Sequence, residues 1–345
     1  MRQRRDPANA PNASARAFSI VQVAFIVLLT LAGGASASAQ SGRNGAHPGP
    51  IPLFPSSNWW NSDIRHAPVD RDSDAYIARI GRDHRLHPNF GGNSHAPSEP
   101  IYGIPFIVVS GSQPLVRVYF DYWDESDDGA PGRPIGYPIP PQAKHEQRWI
   151  EGGLAGDDPH THGDRHMLIL DRDHRLLFEL YALRWNRMRN RWDAGSGAVF
   201  SLNDNRRRPE GWTSADAAGL AILPGLVRYD EVIGEGPIRH AFRVTLDQTN
   251  GYVFPASHGA EVHRGAPPMG ARLRLKASKD LSSYPPTIRK IFDTMKTYGL
   301  IVADNGPDLS VTGTYDTRWN NDVVNPAFES LKASDFEVIE LGWKP

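Results

Sequence analysis

The densest run of chemically capable side chains is Asp157-Asp158-Pro159-His160-Thr161-His162-Gly163-Asp164-Arg165-His166. A His-x-His pair followed four residues later by a third His, with Asp164 as an oxygen donor, is a pattern that zinc or copper can use. The run reads as a loop leading into a strand, so no helix aligns the imidazoles, and no metal or other cofactor is expected. His166 is the more interesting side chain, as a proton carrier. It opens His166–Asp171, which with Leu176–Ala182 makes the clearest hairpin in the chain. Side chains alternate across a strand, so His166, Leu168 and Leu170 share one face, and Leu177, Glu179 and Tyr181 share another. A loop of two or four residues puts His166 and Glu179 on the same face of the sheet, and a loop of three puts them on opposite faces. Together in a cleft they form a candidate acid/base pair, because each shifts the pKa of the other. The alternative is a His–Glu hydrogen bond that only stabilises the hairpin.

Three further acids stand at places where side chains can reach a cleft. Asp216 lies in Gly211-Trp212-Thr213-Ser214-Ala215-Asp216-Ala217-Ala218-Gly219-Leu220, where Thr213 to Ala218 is predicted as a single helical turn. Ser214 lacks the flanking pattern of a nucleophilic serine, so capping by Thr213 or Ser214 is the better reading. Asp230 lies in Arg228-Tyr229-Asp230-Glu231 next to an expected strand end. Asp304, in Asp304-Asn305-Gly306, also follows a strand, although an Asn-Gly turn explains it equally well.

The elements that must position these residues are mostly strands. Runs at Ile104–Val109, Leu115–Phe120, Ile238–Leu246, Tyr252–Pro255, Ala271–Ala277, Leu300–Ala303 and Phe336–Leu341 continue the pattern. Asp121 to Glu151, rich in Pro, Gly and acids, reads as a long loop without regular structure. Two helices are expected. One spans about Asp74 to Ile80, with Asp72 or Ser73 as cap and Gly81 as stop. The other spans Pro286–Tyr298, whose Ile288, Ile291, Phe292, Met295 and Tyr298 follow helical spacing. No repeat and no βαβ alternation is visible. The predicted fold is mainly β, an antiparallel β-sandwich or jelly roll with a few accessory helices. Two strands carry cations on one face: Arg239 and Arg243 in one, Arg272, Arg274 and Lys276 in the other. As neighbours they would make a basic floor for an acidic ligand; otherwise they read as a solvated outer face.

The chain has 345 residues, 38 Lys+Arg against 39 Asp+Glu, no Cys, 32 Gly and 29 Pro. Near-zero net charge argues against nucleic acid as partner. The lack of Cys excludes disulfides, thiol nucleophiles and Cys-ligated metals. Residues 1–39 read as a secretory signal peptide: a basic leader, the apolar run Phe18 to Ala32, and small residues Ala35-Ser36-Ala37-Ser38-Ala39 for cleavage. The run falls short of the ~20 residues that a spanning helix needs. The expected product is therefore secreted or periplasmic, with no membrane association after cleavage. Residues 40–50 read as a flexible leader and 51–345 as a single β-rich domain.

Several of these segments resemble a family of uncharacterised secreted bacterial proteins: Gly163-Asp164-Arg165-His166-x-Leu168-x-x-Asp171-Arg172, Trp212 to Leu220, Pro224 to Glu231, Pro267-Pro268-Met269-Gly270 and Ala303-Asp304-Asn305-Gly306. Phe54-Pro55 to Asn61, with Pro68-Val69-Asp70, resembles its N-terminal edge. The resemblance covers about residues 51–342. It implies one domain, with Asp164, Arg165, His166 and Trp212–Asp216 as family hallmarks, and it carries no activity.

The favoured reading is a carbohydrate-active enzyme, a glycoside hydrolase with paired carboxylates acting on an extracellular polysaccharide. Its catalytic candidates are Glu179, Asp216, His166 and Asp230; its substrate-binding candidates are Arg165, Trp212, Tyr229 and Asp164. The nine Trp and eleven Tyr offer flat faces for sugar rings, among them the Trp123-to-Trp149 loop, Trp185, Trp192 and Trp212. A second reading is a polysaccharide lyase on a uronate polymer, with Tyr229 or His166 as base and Arg165 and the basic stripes neutralising the carboxylate. A third is a non-catalytic carbohydrate-binding or cell-envelope protein.

Overall fold

The structure, a computed structural model, describes residues 42–43, 49–92, 102–129, 135–152 and 164–345. The signal-peptide segment, most of the leader, and His160 and His162 lie outside the described residues. In chain order the elements are β1 (Gly42–Arg43), α1 (Ser73–Ile80), β2 (His87–Asn89), β3 (Phe106–Val109), β4 (Val118–Phe120), β5 (Met167–Asp171) and β6 (Leu176–Tyr181). Then follow β7 (Arg184–Asn186), β8 (Arg191–Ala194), β9 (Ser196–Ser201), α2 (Tyr229–Ile233), β10 (Phe242–Leu246), β11 (Arg272–Leu275) and α3 (Pro286–Thr297). The chain closes with β12 (Leu300–Asn305), β13 (Ser310–Thr312), α4 (Asn321–Glu329) and β14 (Phe336–Val338). The described residues belong to one compact unit, Ser38–Pro345.

The fold is mainly β, with few helices. A six-stranded sheet has the order β14-β11-β12-β10-β13-β2, a five-stranded one β1-β3-β5-β6-β9, and a three-stranded one β4-β8-β7. One face of the five-stranded sheet (Leu168, Leu170, Leu177, Ala198, Phe200) shares a core with Val244, Leu246 and Leu273 of the six-stranded sheet. Its other face (Ile107, Ile169, Phe178, Leu180, Val199) packs with Val118, Trp192 and Ala194 of the three-stranded sheet. Burial on both faces explains why β5 and β6 are apolar almost throughout.

The helices form where the spacing predicts. In α1, Ile77 and Ile80 are buried, and Gly81, at φ 104°, ends the helix. In α3 a proline occupies the first position and Ile288, Ile291, Phe292 and Met295 make the buried stripe. The sequence reading missed α4, which contains Pro326 and is capped by the Asn320 side chain accepting from the Asp322 N–H.

Four expectations need correction. The sheets are mixed rather than antiparallel: β3 with β5, β10 with β12, β13 with β2 and β4 with β8 all pair parallel. The chain reaches β12 from β10 by way of β11 and α3, a return that local patterning does not encode. Tyr252–Pro255 forms only a single bridge, Tyr252 to Met269. Thr213 to Ala218 is a run of bends and turns, not a helical turn. The basic stripes, finally, form no floor, and only Arg239 is exposed, with Lys276 half-buried. Strand β12 separates β10 from β11, and Arg243, Arg272 and Arg274 are buried. Arg274 Nη1 donates to the carbonyls of Ile64, Arg65 and Ala67, and its Nε to Glu337 at 2.8 Å. Arg272 donates to the carbonyls of Trp59, Ser62 and Tyr298. An irregular segment at 59–67 leaves carbonyls without ladder partners, and guanidinium forks satisfy them.

Candidate active site

The β5–β6 hairpin has a four-residue loop, Arg172–Arg175, with Asp171 opposite Leu176 and Leu168 opposite Glu179. Asp171 Oδ1 fastens the loop by accepting the N–H groups of Asp173 and His174, each at 3.0 Å. With an even loop, His166 and Glu179 face the same side of the sheet. They do not bond to each other. His166 is 2% exposed, with Nδ1 2.7 Å from Glu151 Oε2 and Nε2 2.9 Å from the Ala215 carbonyl. Both ring nitrogens face acceptors, which suits an imidazolium. Burial opposes that charge, but the Glu151 carboxylate, and then Asp164, raise the His166 pKa to about 9.

Glu179 is fully buried and accepts the N–H groups of Ile222 at 2.8 Å and Leu223 at 2.9 Å. Burial pushes its pKa up to about 7 against those two donors, and the nearby Asp216 adds to the rise. Its oxygens hold the start of the tight turn at Leu223–Gly225.

Asp216 sits in a knot of turns. Its N–H donates to Ser214 Oγ at 2.9 Å, and its carbonyl accepts the N–H of Gly219, a residue at φ 72°. Ser214 thus organises the turn, but with no helix here it is not the expected helix cap. The Asp216 carboxylate takes two bonds from Arg243 of β10, Nη2 to Oδ1 at 2.6 Å and Nε to Oδ2 at 3.0 Å. Arg243 also donates to Thr312 Oγ1 at 2.6 Å and to Asp304 Oδ2 at 3.2 Å. One guanidinium therefore serves two carboxyls. Burial, and then the charge of Asp216, hold the Asp304 pKa well above the carboxylate range. Asp216 is gripped bidentately, and Asp304, held by a single bond, holds its proton more tightly than an ordinary carboxyl does.

These groups underlie a cavity of about 420 Å³. Asp164, Asp216 and Asp304 line it, as do Tyr122, Tyr181 and His258. The Asp304 side chain is 18% exposed there, whereas that of Asp216 is 0% exposed. Glu125 and Asn305 also contribute, and no Lys or Arg does.

The structure brings together Asp164, His166, Glu179 and Asp216, but only Asp164 and Asp216 line the cavity. Arg165, at φ 53°, turns its side chain inward to donate from Nε to the Leu183 carbonyl at 2.9 Å. Trp212 lies against Arg208, 5.4 Å from Cζ to ring centre, next to the cavity-lining Thr213. Tyr229 and Asp230 are elsewhere, on α2: Tyr229 meets Trp319 edge-on at 5.0 Å, under Arg318. Asp230 Oδ1 is 4.0 Å from Arg228 Nε. Trp123, Trp149, Trp185, Trp192 and Trp212 are not among the lining residues, and Trp185 and Trp192 border a different hollow with Lys144. Sequence reasoning missed Glu151, Arg243 as the partner of Asp216, and His258. It placed Asp304 only at a strand end. A usable signal for Arg243 was its position between Phe242 and Val244 in a strand, where an unpaired cation is costly. No protein-family model, curated protein or solved structure matches the chain.

Proposed function

We propose that the protein is a secreted carbohydrate-active enzyme, a glycoside hydrolase that works in the Asp304 cavity. The observation that carries this reading is the Asp304 carboxyl, open to a cavity, held by Arg243 beside the Asp216–Arg243 ion pair, and raised in pKa above the ordinary carboxylate value by burial and by Asp216. A carboxyl of raised proton affinity suits the general acid that glycosidic cleavage needs, which gives its proton to the departing oxygen. Asp164 supplies the second carboxylate, which activates water or attacks the anomeric carbon. Burial, and then Asp216, raise the proton affinity of Asp304, and Arg243 fixes the Asp216 and Asp304 carboxyls, while Glu179 and His166 hold the surrounding turns. Tyr122 and Tyr181 offer ring faces to the sugar, and the volume suits a small-molecule site. A mainly β scaffold of three sheets of mixed direction accords with this reading.

A uronate lyase is less well supported, because four acidic residues and no Lys or Arg line the cavity. An anionic polymer would meet repulsion there. The test is incubation of the purified protein with a panel of neutral and charged polysaccharides, read as new reducing ends. Asp304→Asn is expected to lower turnover by about 100-fold or more, the scale of a lost general acid, with the melting curve retained. An ultraviolet-absorbing unsaturated product would mean elimination. Binding without product would leave a carbohydrate-binding protein, and either result refutes the hydrolase.

A further inference from the structure

A second hollow, of about 230 Å³, opens where the segment around Trp59, the loop at Phe254 and the C-terminal residues meet. Its walls include three aromatic rings, Trp59, Phe254 and Trp343. Trp59 and Phe254 stand edge to face, 6.0 Å apart. Its cations are Arg207, Arg272 and Lys344, and no Asp or Glu side chain lines it, but Arg207 is already paired with Glu210 at 2.8 Å, which leaves Arg272 and Lys344 to meet an anion. Lys344 Nζ lies 4.4 Å from the centre of the Phe254 ring and is otherwise exposed.

Arg272 is the unusual member. It is 6% exposed, yet its hydrogen bonds go to three backbone carbonyls and to no carboxylate, and its Nε has no partner. Trp59 Nε1, on the same wall, is a second buried donor without an acceptor. Burial lowers the Arg272 pKa to about 9, as for a cation without a counter-charge. A buried guanidinium lacking an anion, beside flat apolar rings, is complementary to a ring that carries a carboxylate. Ser57 and Asn205, bonded to each other at 2.9 Å, and Ser62, which donates to the Asn58 carbonyl, also line the hollow, and their remaining donors and acceptors suit ring hydroxyls, which an aromatic acid would leave unused.

We propose that this hollow binds an acidic sugar unit, a hexuronate, with its carboxylate drawn to Arg272 and Lys344 and its ring face on Trp343. The site is separate from the Asp304 cavity, and the proposal does not depend on hydrolysis. Calorimetric titration of the full chain with glucuronate, glucose, benzoate and acetate tests it. Saturable glucuronate binding, weakened by high salt, is expected to be about tenfold tighter than that of glucose or acetate, and benzoate should bind no more tightly than glucuronate. Trp343→Ala and the solvent-exposed change Lys344→Gln should each weaken it about five- to tenfold, and Asp304→Asn should leave it intact. Absence of saturable glucuronate binding, equal affinity for glucose, tighter benzoate binding, or full affinity in Lys344→Gln would each overturn the proposal. Loss of binding in Asp304→Asn would place the sugar in the other cavity and overturn it too.

Discussion

Replacement of Glu179 by Gln separates a positioning role from a catalytic one. The wild-type carboxyl accepts two backbone N–H groups, from Ile222 and Leu223. An amide has one acceptor oxygen, so one of those buried donors loses its partner and faces an NH2 group instead, at a cost of about 1–3 kcal/mol. The pH dependence adds a sharper signature. The Glu179 pKa rises from its ordinary value of 4.5 to about 7 in the folded state, so folding binds the proton more tightly. Its contribution to stability is full below pH 4.5 and is lost as pH rises to about 7. The total change is about 3 kcal/mol at 1.36 kcal/mol per pKa unit. Gln carries no such dependence. Chemical denaturation of both proteins should show the variant less stable at pH 5, by about 1–2 kcal/mol once partial ionisation of the unfolded chain is included. The gap should move by about 2–3 kcal/mol toward the variant by pH 8 and there vanish or reverse. Titrating groups remote from Glu179 cancel in the difference. Turnover per folded molecule should stay close to wild type, since Glu179 does not line the cavity. A gap of equal size at both pH values would refute the buried, proton-bearing carboxyl. Lost turnover with unchanged stability would refute the positioning role.

Arg243→Met strands the fully buried Asp216 without its cation and should cost about 3–5 kcal/mol by urea unfolding. Adding Asp216→Asn should recover part of that loss, whereas simple additivity would contradict the pairing. Gly270→Ala should lower the melting temperature, because at φ 83° a Cβ would overlap the Val253 carbonyl oxygen. The left-handed backbone alone costs about 1–2 kcal/mol, and an unchanged melting temperature would contradict that geometry.

The parts of this protein that could be read directly from the chain are those governed by neighbours in sequence. The apolar stripe of α3 and its proline start lie within one element, and so does the alternation of β5 and β6. A short loop couples those two strands, which is why the shared face of His166 and Glu179 followed from loop parity. Loop parity does not name the bonding partner. His166 finds Glu151, brought in by an irregular segment with no periodicity, and Glu179 finds two N–H groups 43 and 44 residues further on. Arg243 reaches Asp216 across 27 residues and Asp304 across 61, and the three meet only because β10 and β12 pair in parallel. Alternation likewise marked Arg272 and Arg274 as one face, but whether a face meets solvent or a layer of carbonyls depends on which segment covers it. Local sterics and hydrophobic period act over a few residues. Charge pairing, desolvation and the raised proton affinity of Asp304 arise from groups that only the packed sheets bring together.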